Sequence, residues 1–144
     1  MVSRGIPLAS TSCVFCDVSD EDLHHCFFLC PRVEMVWRKI WSWWGIASPR
    51  PTYLEFLNMD IPTSRKNNII NVVFKATCVV SLWSIWAWRN RIFHAEDSEV
   101  EKLKLEDPFA SIQKLSGFWI SNRSRNIRID LDFWVSNPTA VSER

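Results

Sequence analysis

Cys13, Cys16, His25 and Cys30 fall within eighteen residues in the spacing C-x2-C-x8-H-x4-C. Thiolate and imidazole are the ligands that zinc takes four at a time in a tetrahedron, and a C-x2-C pair grips the ion from one tight turn. His24 and Cys26 are the rival ligands; beside a ligating His25 both are expected to point elsewhere, in an extended or a turn conformation alike. Cys26 in place of His25 gives a C-x2-C-x9-C-x3-C set. The His-x4-Cys half is a familiar knuckle half and favours His25. A site with four protein ligands keeps no open position, so one zinc ion here is structural, and its ligation free energy serves as folding free energy.

The rest of the chain offers less chemistry. It has no paired aspartates of a polymerase palm, no carboxylates spaced for two metals and no Gly-rich phosphate loop. Cys78 reads as a core thiol on a long helix and His94 as a helix C-terminal residue, so no nucleophile sits beside a base. The chain is expected not to be an enzyme. A net charge of +1 gives no global field to recruit nucleic acid. Asp17, Asp20, Glu21 and Asp22 lie between the ligand pairs, and three thiolates on one dication add a further negative charge. Phosphate is expected to be repelled from that tip. Lys114, Arg123, Arg125 and Arg128 form a purely basic stretch and are the candidate nucleic-acid contacts. Arg4, Arg32, Arg38 and Lys39 flank the knuckle.

Five cysteines are an odd number, and no apolar run follows the N-terminal Met1-Val2-Ser3-Arg4-Gly5. A reducing intracellular setting, nucleus or cytoplasm rather than the secretory route, suits thiolate ligation. Nine tryptophans in 144 residues bring enough apolar area for a compact core. Three glycines argue against a turn-rich β fold.

The elements that must position these residues are mostly helical. Pro31 suits a first helical turn, and Val33, Val36, Trp37, Ile40, Trp41 and Trp44 recur at helical spacing up to Gly45, a C-cap. The pattern predicts a helix over about 32–44, with its tryptophans buried against the knuckle and the longest helix. Phe15, Phe27 and Phe28 are expected to pack the knuckle onto it. Thr52 caps a short predicted helix that ends near Met59. The longest helix is predicted over about 65–94, apolar nearly all round, with Asn71, Lys75 and Arg89 on one azimuth. Its uncharged run, Ala76–Trp88, falls short of the about 20 apolar residues a span needs, so a central core helix is expected rather than a membrane segment. Glu96–Glu106 reads as a loop with a short helix. Asp107-Pro108 reads as N-cap and first residue of another helix, weakened by Gly117. Ile127, Ile129, Leu131, Phe133 and Val135 alternate and predict a short extended segment.

Several of these residues also carry a resemblance. Arg4-Gly5-Ile6, Cys13-x2-Cys16, His25-x-Phe27-x2-Cys30-Pro31 and Val36-Trp37 resemble the zinc-binding domain that follows the reverse transcriptase in plant LINE-type (non-LTR) retrotransposons. Leu82-Trp83-x-Ile85-Trp86-x2-Arg89-Asn90-x2-Phe93, Phe118-Trp119-Ile120-x2-Arg123-Ser124-Arg125 and Trp134-x2-Asn137-Pro138 resemble the tail of the same polyproteins. Cys26 departs from the family, which usually has Leu there, and the helices that precede Arg-Gly-Ile are absent. The resemblance implies His25 as the third ligand. It also implies an accessory, non-catalytic role near RNA or DNA, in a fragment of such an element or a short gene derived from one.

The sequence thus predicts a mostly α protein in three parts. Residues 1–45 form a zinc-knuckle module with the first helix, 46–138 a body of about four helices, and 139–144 a disordered tail. The expected partners are RNA or DNA and the reverse transcriptase portion of a parent element. A protein-docking module or an inert relic with a tryptophan-rich surface is the alternative.

Overall fold

A computed structural model of the chain describes residues 12–46 and 68–140. The fold is mostly α, with a Cys/His cluster at its N-terminal end. An isolated antiparallel β-bridge between Ser12 and Asp20 closes the knuckle loop. A π-helical turn, His25–Leu29, leads directly into α1, Pro31–Trp43. Then come α2, Asn68–Phe93; α3, Asp97–Lys104; α4, Phe109–Arg123; and α5, Leu131–Ser136. The predicted helix from Thr52 to Met59, and residues 65–67 of the predicted long helix, lie outside the described residues.

Local chemistry sets the ends of α1. Pro31 occupies its first turn, where a missing N–H costs nothing. At the other end Gly45 takes a left-handed φ of 67°. Its N–H donates to Ser42 O at 3.1 Å, and the Ile46 N–H donates to Trp41 O at 2.8 Å. Those two bonds are the Schellman pattern, which glycine enters without a Cβ penalty.

Trp37, Trp41 and Trp44 are all buried, as their spacing predicts. They belong to a continuous file of rings. Phe28 stacks on Trp37 at 5.7 Å, Trp37 on Trp41 at 5.4 Å, and Trp41 meets Phe74 of α2 at 5.7 Å. Phe74 meets Trp44 at 5.1 Å, and Trp44 meets Trp134 of α5 at 5.7 Å. Indole N–H groups tie the elements as well. Trp37 donates to Phe27 O at 2.6 Å, Trp43 to Val135 O at 2.9 Å, and Trp88 to Leu103 O at 2.8 Å. Trp37, Trp43 and Trp88 therefore pack a large apolar ring without orphaning the donor, whereas the buried Nε1 of Trp44 has no hydrogen-bond partner. Phe15 packs elsewhere than predicted: its ring lies 4.5 Å from Trp88, on α2. One hydrophobic core runs from Cys13 to Trp134, across the sequence boundary expected at 45/46.

α2 is not uniformly buried. Val73, Phe74, Cys78, Ile85, Trp88 and Ile92 line its inner face. Thr77 and Ser81 share that face and satisfy their hydroxyls on the carbonyls of Val73 and Thr77, one turn back, at 2.8 and 2.7 Å. Val72, Val79, Trp83 and Trp86 lie on the outer face, exposed. Ile69–Phe93 is long and apolar enough to cross a membrane, with mean hydropathy 1.6. Just over half of its apolar window, 56%, is packed inside the protein.

The C-terminal third departs from the sequence reading in three places. Asp107 and Pro108 precede α4 rather than begin it: Asp107 Oδ1 accepts the Phe109 N–H at 3.0 Å, and Pro108 O accepts the first helical bond, from Ile112. The alternating segment is not extended throughout. From Leu131 it is helical, because Asp130 caps it: the Asp130 carboxylate accepts the Phe133 N–H at 3.2 Å, and its carbonyl accepts the Trp134 N–H at 2.8 Å. Leu131, Trp134 and Val135 then face the core at i, i+3 and i+4. Finally, Pro138–Ala140 form a 3-10 turn with Pro138 buried, where disorder was expected from residue 139. Residues 141–144 lie outside the described residues.

Candidate metal centre

The knuckle loop is built to aim two sulfurs. The Cys13 N–H donates to Ser19 O at 2.8 Å, and the Asp17 N–H donates to Cys13 O at 2.9 Å. Asp17 sits at φ 57°, a left-handed conformation that aspartate tolerates better than most side chains. The backbone N–H groups of Cys16 and Phe15 bond Cys13, and those of Ser19 and Val18 bond Cys16. This arrangement favours thiolate over thiol.

The second half comes from the π turn. The Cys30 N–H donates to His25 O at 2.8 Å, a bond spanning five residues. In a regular α-helix two residues five apart point about 140° away from each other. The wider π turn brings His25 and Cys30 back onto one side. Asp22 Oδ1 accepts the His25 N–H at 2.8 Å and holds the start of the turn.

The ligand atoms of Cys13, Cys16, His25 and Cys30 all lie within 4.8 Å of one another. His25 Nε2 is 3.3 Å from Cys16 Sγ, so Nε2 is the nitrogen that faces the cluster. Tetrahedral zinc with bonds of ~2.3 Å would hold sulfurs ~3.8 Å apart, so the four need only small adjustments to close on an ion. Three sulfurs and an imidazole are the donors of a soft or borderline dication. The residues present therefore fit a metal ion, held without an open position.

Protonation follows the same geometry. Hydrogen bonds from Cys26 and then Cys30 hold the Cys13 thiol far below the ordinary thiol range. The same bonds, with burial second, push Cys26 and Cys30 up. Burial raises Cys16, but the backbone N–H groups of Ser19 and Val18 and the His25 ring outweigh it, and the net shift is downward. Burial likewise lowers His25, and the neighbouring sulfurs of Cys16 and Cys13 reverse that and raise it. A bound cation would take the place of these shared protons.

Cys26 corrects one sequence expectation. It does not point away: its Sγ lies 3.9 Å from Cys13 Sγ and is buried. It stands as a fourth sulfur beside the quartet. His24 does turn aside, its ring edge-on to Phe28 at 6.0 Å. Cys78 is a core thiol on α2, and burial raises its pKa.

The acidic loop is not a free tip. Glu21 is clamped by both Nε and Nη2 of Arg89 on α2. Asp17 accepts from Lys104 of α3 at 2.5 Å, and Asp22 serves the π turn. On the flank, Arg32 donates to Lys104 O at 3.0 Å, Arg38 pairs with Glu34 at 3.1 Å, and Lys39 pairs with Asp107. Apart from Arg38–Glu34 and Asp22–His25, these ties join residues far apart in sequence, so no local pattern announces them.

Lys114, Arg123, Arg125 and Arg128 are exposed, and none has a carboxylate partner among the described residues. Lys114 and Arg123 lie on α4, and Arg125 and Arg128 on the segment that leaves it. The Arg123 guanidinium covers the Trp119 ring at 5.2 Å. The sequence reading missed what lies beside them, a groove of about 440 Å³ between α2 and α4, lined by Val79, Trp83, Leu115, Phe118, Trp119 and Asn122. Its signal was present as aromatic residues outside the buried stripe of each helix.

Comparison with known proteins adds no relative: no family model, no curated protein and no solved structure matches the chain.

Proposed function

We propose that this chain is a non-catalytic accessory element, organised by one structural zinc ion, of the kind that follows the reverse transcriptase in plant non-LTR retrotransposons. In this reading it works inside the cell, in nucleus or cytoplasm, and helps hold RNA or DNA beside a polymerase portion. The observation that carries the proposal is the convergence of Cys13, Cys16, His25 and Cys30, ligand atoms within 4.8 Å, on a C-x2-C…H-x4-C frame. Zinc supplies cross-linking of the loop and π turn when bound, and no reaction is assigned to it. The unpaired cations of the C-terminal region supply the electrostatic contact.

Two measurements test this. Metal analysis of purified protein should find one zinc per chain. Binding to labelled RNA should weaken steeply with salt, because Lys and Arg displace counterions from phosphate. Replacing Arg123 and Arg125 with Ala should weaken binding and flatten that slope. Absence of zinc, or absence of binding at low salt, defeats the respective half. A second reading, a protein-docking module, draws on the exposed apolar groove between α2 and α4. Salt-insensitive association would mark it.

A further inference from the structure

The α2–α4 groove joins two observations that are usually separate. Its walls are aromatic and open: Trp83 is 58% exposed, Phe118 55% and Trp119 39%. Its two helices carry cations and no acid. Neither α2 nor α4 contains an Asp or Glu, whereas together they carry Lys75, Arg89, Arg91, Lys114 and Arg123.

Sorting the cations by commitment sharpens the picture. Arg38, Lys39, Arg89, Arg91 and Lys104 are each paired with a carboxylate, and Arg32 with a carbonyl. Apart from Arg32 on α1 and Lys102 on α3, the described cations without a carboxylate partner are Lys75 and Lys114 on the groove helices, Arg123 against Trp119, and Arg125 and Arg128 just beyond.

A concave site with flat apolar walls, on two helices that carry cations and no acid, complements a partner that alternates planar rings with anionic links. We propose that the α2–α4 groove receives the unpaired bases of single-stranded nucleic acid. Trp83, Phe118 and Trp119 stack on bases, while Lys114, Arg123 and Arg125 meet the phosphates. Arg123 backs the Trp119 ring and places a positive charge at the groove wall. Duplex is disfavoured, because its bases are already stacked on each other. This inference rests on the nucleic-acid reading above and names the site and the strandedness.

The experiment uses the full chain loaded with zinc and a fluorescein-labelled single-stranded RNA oligonucleotide, read by anisotropy at several salt concentrations. Trp83→Ala and Trp119→Ala should each weaken binding by about tenfold, since stacking on one aromatic side chain is worth ~1–3 kcal/mol per base. Trp119→Phe should restore most of the loss. Both positions are exposed, and unchanged circular dichroism and zinc content verify folding. Excess duplex of the same sequence should compete poorly. If the folded tryptophan variants bind like the parent while Arg123→Ala with Arg125→Ala weakens binding, the groove is not the site and the broader reading stands. If duplex competes as well as single strand, stacking is overturned. If no nucleic acid binds at low salt, both fail. In that case, partitioning onto phosphatidylserine vesicles that Trp83→Ala abolishes would assign the groove to a lipid surface.

Discussion

Cys26 and His25 are sequence neighbours, both close to the cluster, yet their roles differ. Only His25 completes a quartet whose atoms all lie within 4.8 Å, whereas Cys26 approaches Cys13 alone, at 3.9 Å. Cys26→Ser should therefore retain one zinc per chain, and Cys16→Ser and His25→Ala should lose it, as read by metal analysis of the purified variants. Release by Cys26→Ser with retention by His25→Ala would transfer the ligand role to the sulfur. Trp41 is a second residue with a sharp expectation. It lies between Trp37 and Phe74 and is 3% exposed, so Trp41→Ala should cost about 3–5 kcal/mol in a denaturant melt. The tryptophan was legible from spacing alone, because helical periodicity encodes a face; the ligand frame was legible from its Cys/His spacing, while the choice of His25 over Cys26 also drew on the resemblance. The clamp partners Arg89–Glu21 and Lys104–Asp17 were not legible, because an ion pair between distant stretches has no periodic signature.

At the scale of elements, α5 shows how a short segment misleads. Six residues make less than two helical turns, so alternation and helical spacing fit Leu131–Ser136 almost equally well. The deciding contacts are tertiary. Trp134 Nε1 donates to Gln113 O at 2.9 Å, and α5 lies directly over Gly117. A Cβ at Gly117 would sit 2.8 Å from Leu131 Cδ2 and 2.9 Å from Trp134 Cδ1. Read from sequence, that glycine only weakens α4; in the fold it admits the next helix. Gly117→Ala gains about 1 kcal/mol of helix propensity but overpacks a site where such changes cost about 1–3 kcal/mol. The expected outcome is a lower melting temperature, with faster hydrogen exchange confined to residues 131–136 and their contacts. A higher melting temperature would mean that α5 yields cheaply. The start and stop of α1 were legible because Pro31 and Gly45 act locally, whereas the π turn was not, since its widening serves ligand convergence rather than any propensity.

For the molecule as a whole, the knuckle is held against the helical body by charge as well as by its core. Lys104, its side chain only 7% exposed, reaches Asp17 at 2.5 Å and Glu101 at 3.7 Å. The hydrogen bond to Asp17 is the main cause that raises its pKa, against burial, which lowers it. A raised folded-state pKa contributes stability that is fully present below the ordinary lysine value of 10.5 and is lost as pH rises through the folded value. Denaturant melts of the native protein should thus show an alkaline loss of stability above that ordinary value. Lys104→Met should be less stable at neutral pH and lack that part of the alkaline loss. Equal pH profiles for the two proteins would show that the bridge contributes nothing. Asp17 remains largely exposed in the variant, so no buried charge is orphaned.

The file of rings from Phe28 through Trp37, Trp41, Phe74 and Trp44 to Trp134 begins beside the sulfur cluster and ends at the far terminus of the described fold. Indoles stacked at 5.4 Å share their excited states, so Trp37 and Trp41 act as a coupled chromophore rather than as two independent ones. Thiolates uncovered by loss of an ion are efficient quenchers of nearby indole emission. An ion bound at the quartet would thereby give the protein an intrinsic optical gauge of its occupancy. Chelation of that ion would dim the emission, and the knuckle's opening could be followed in real time without a label.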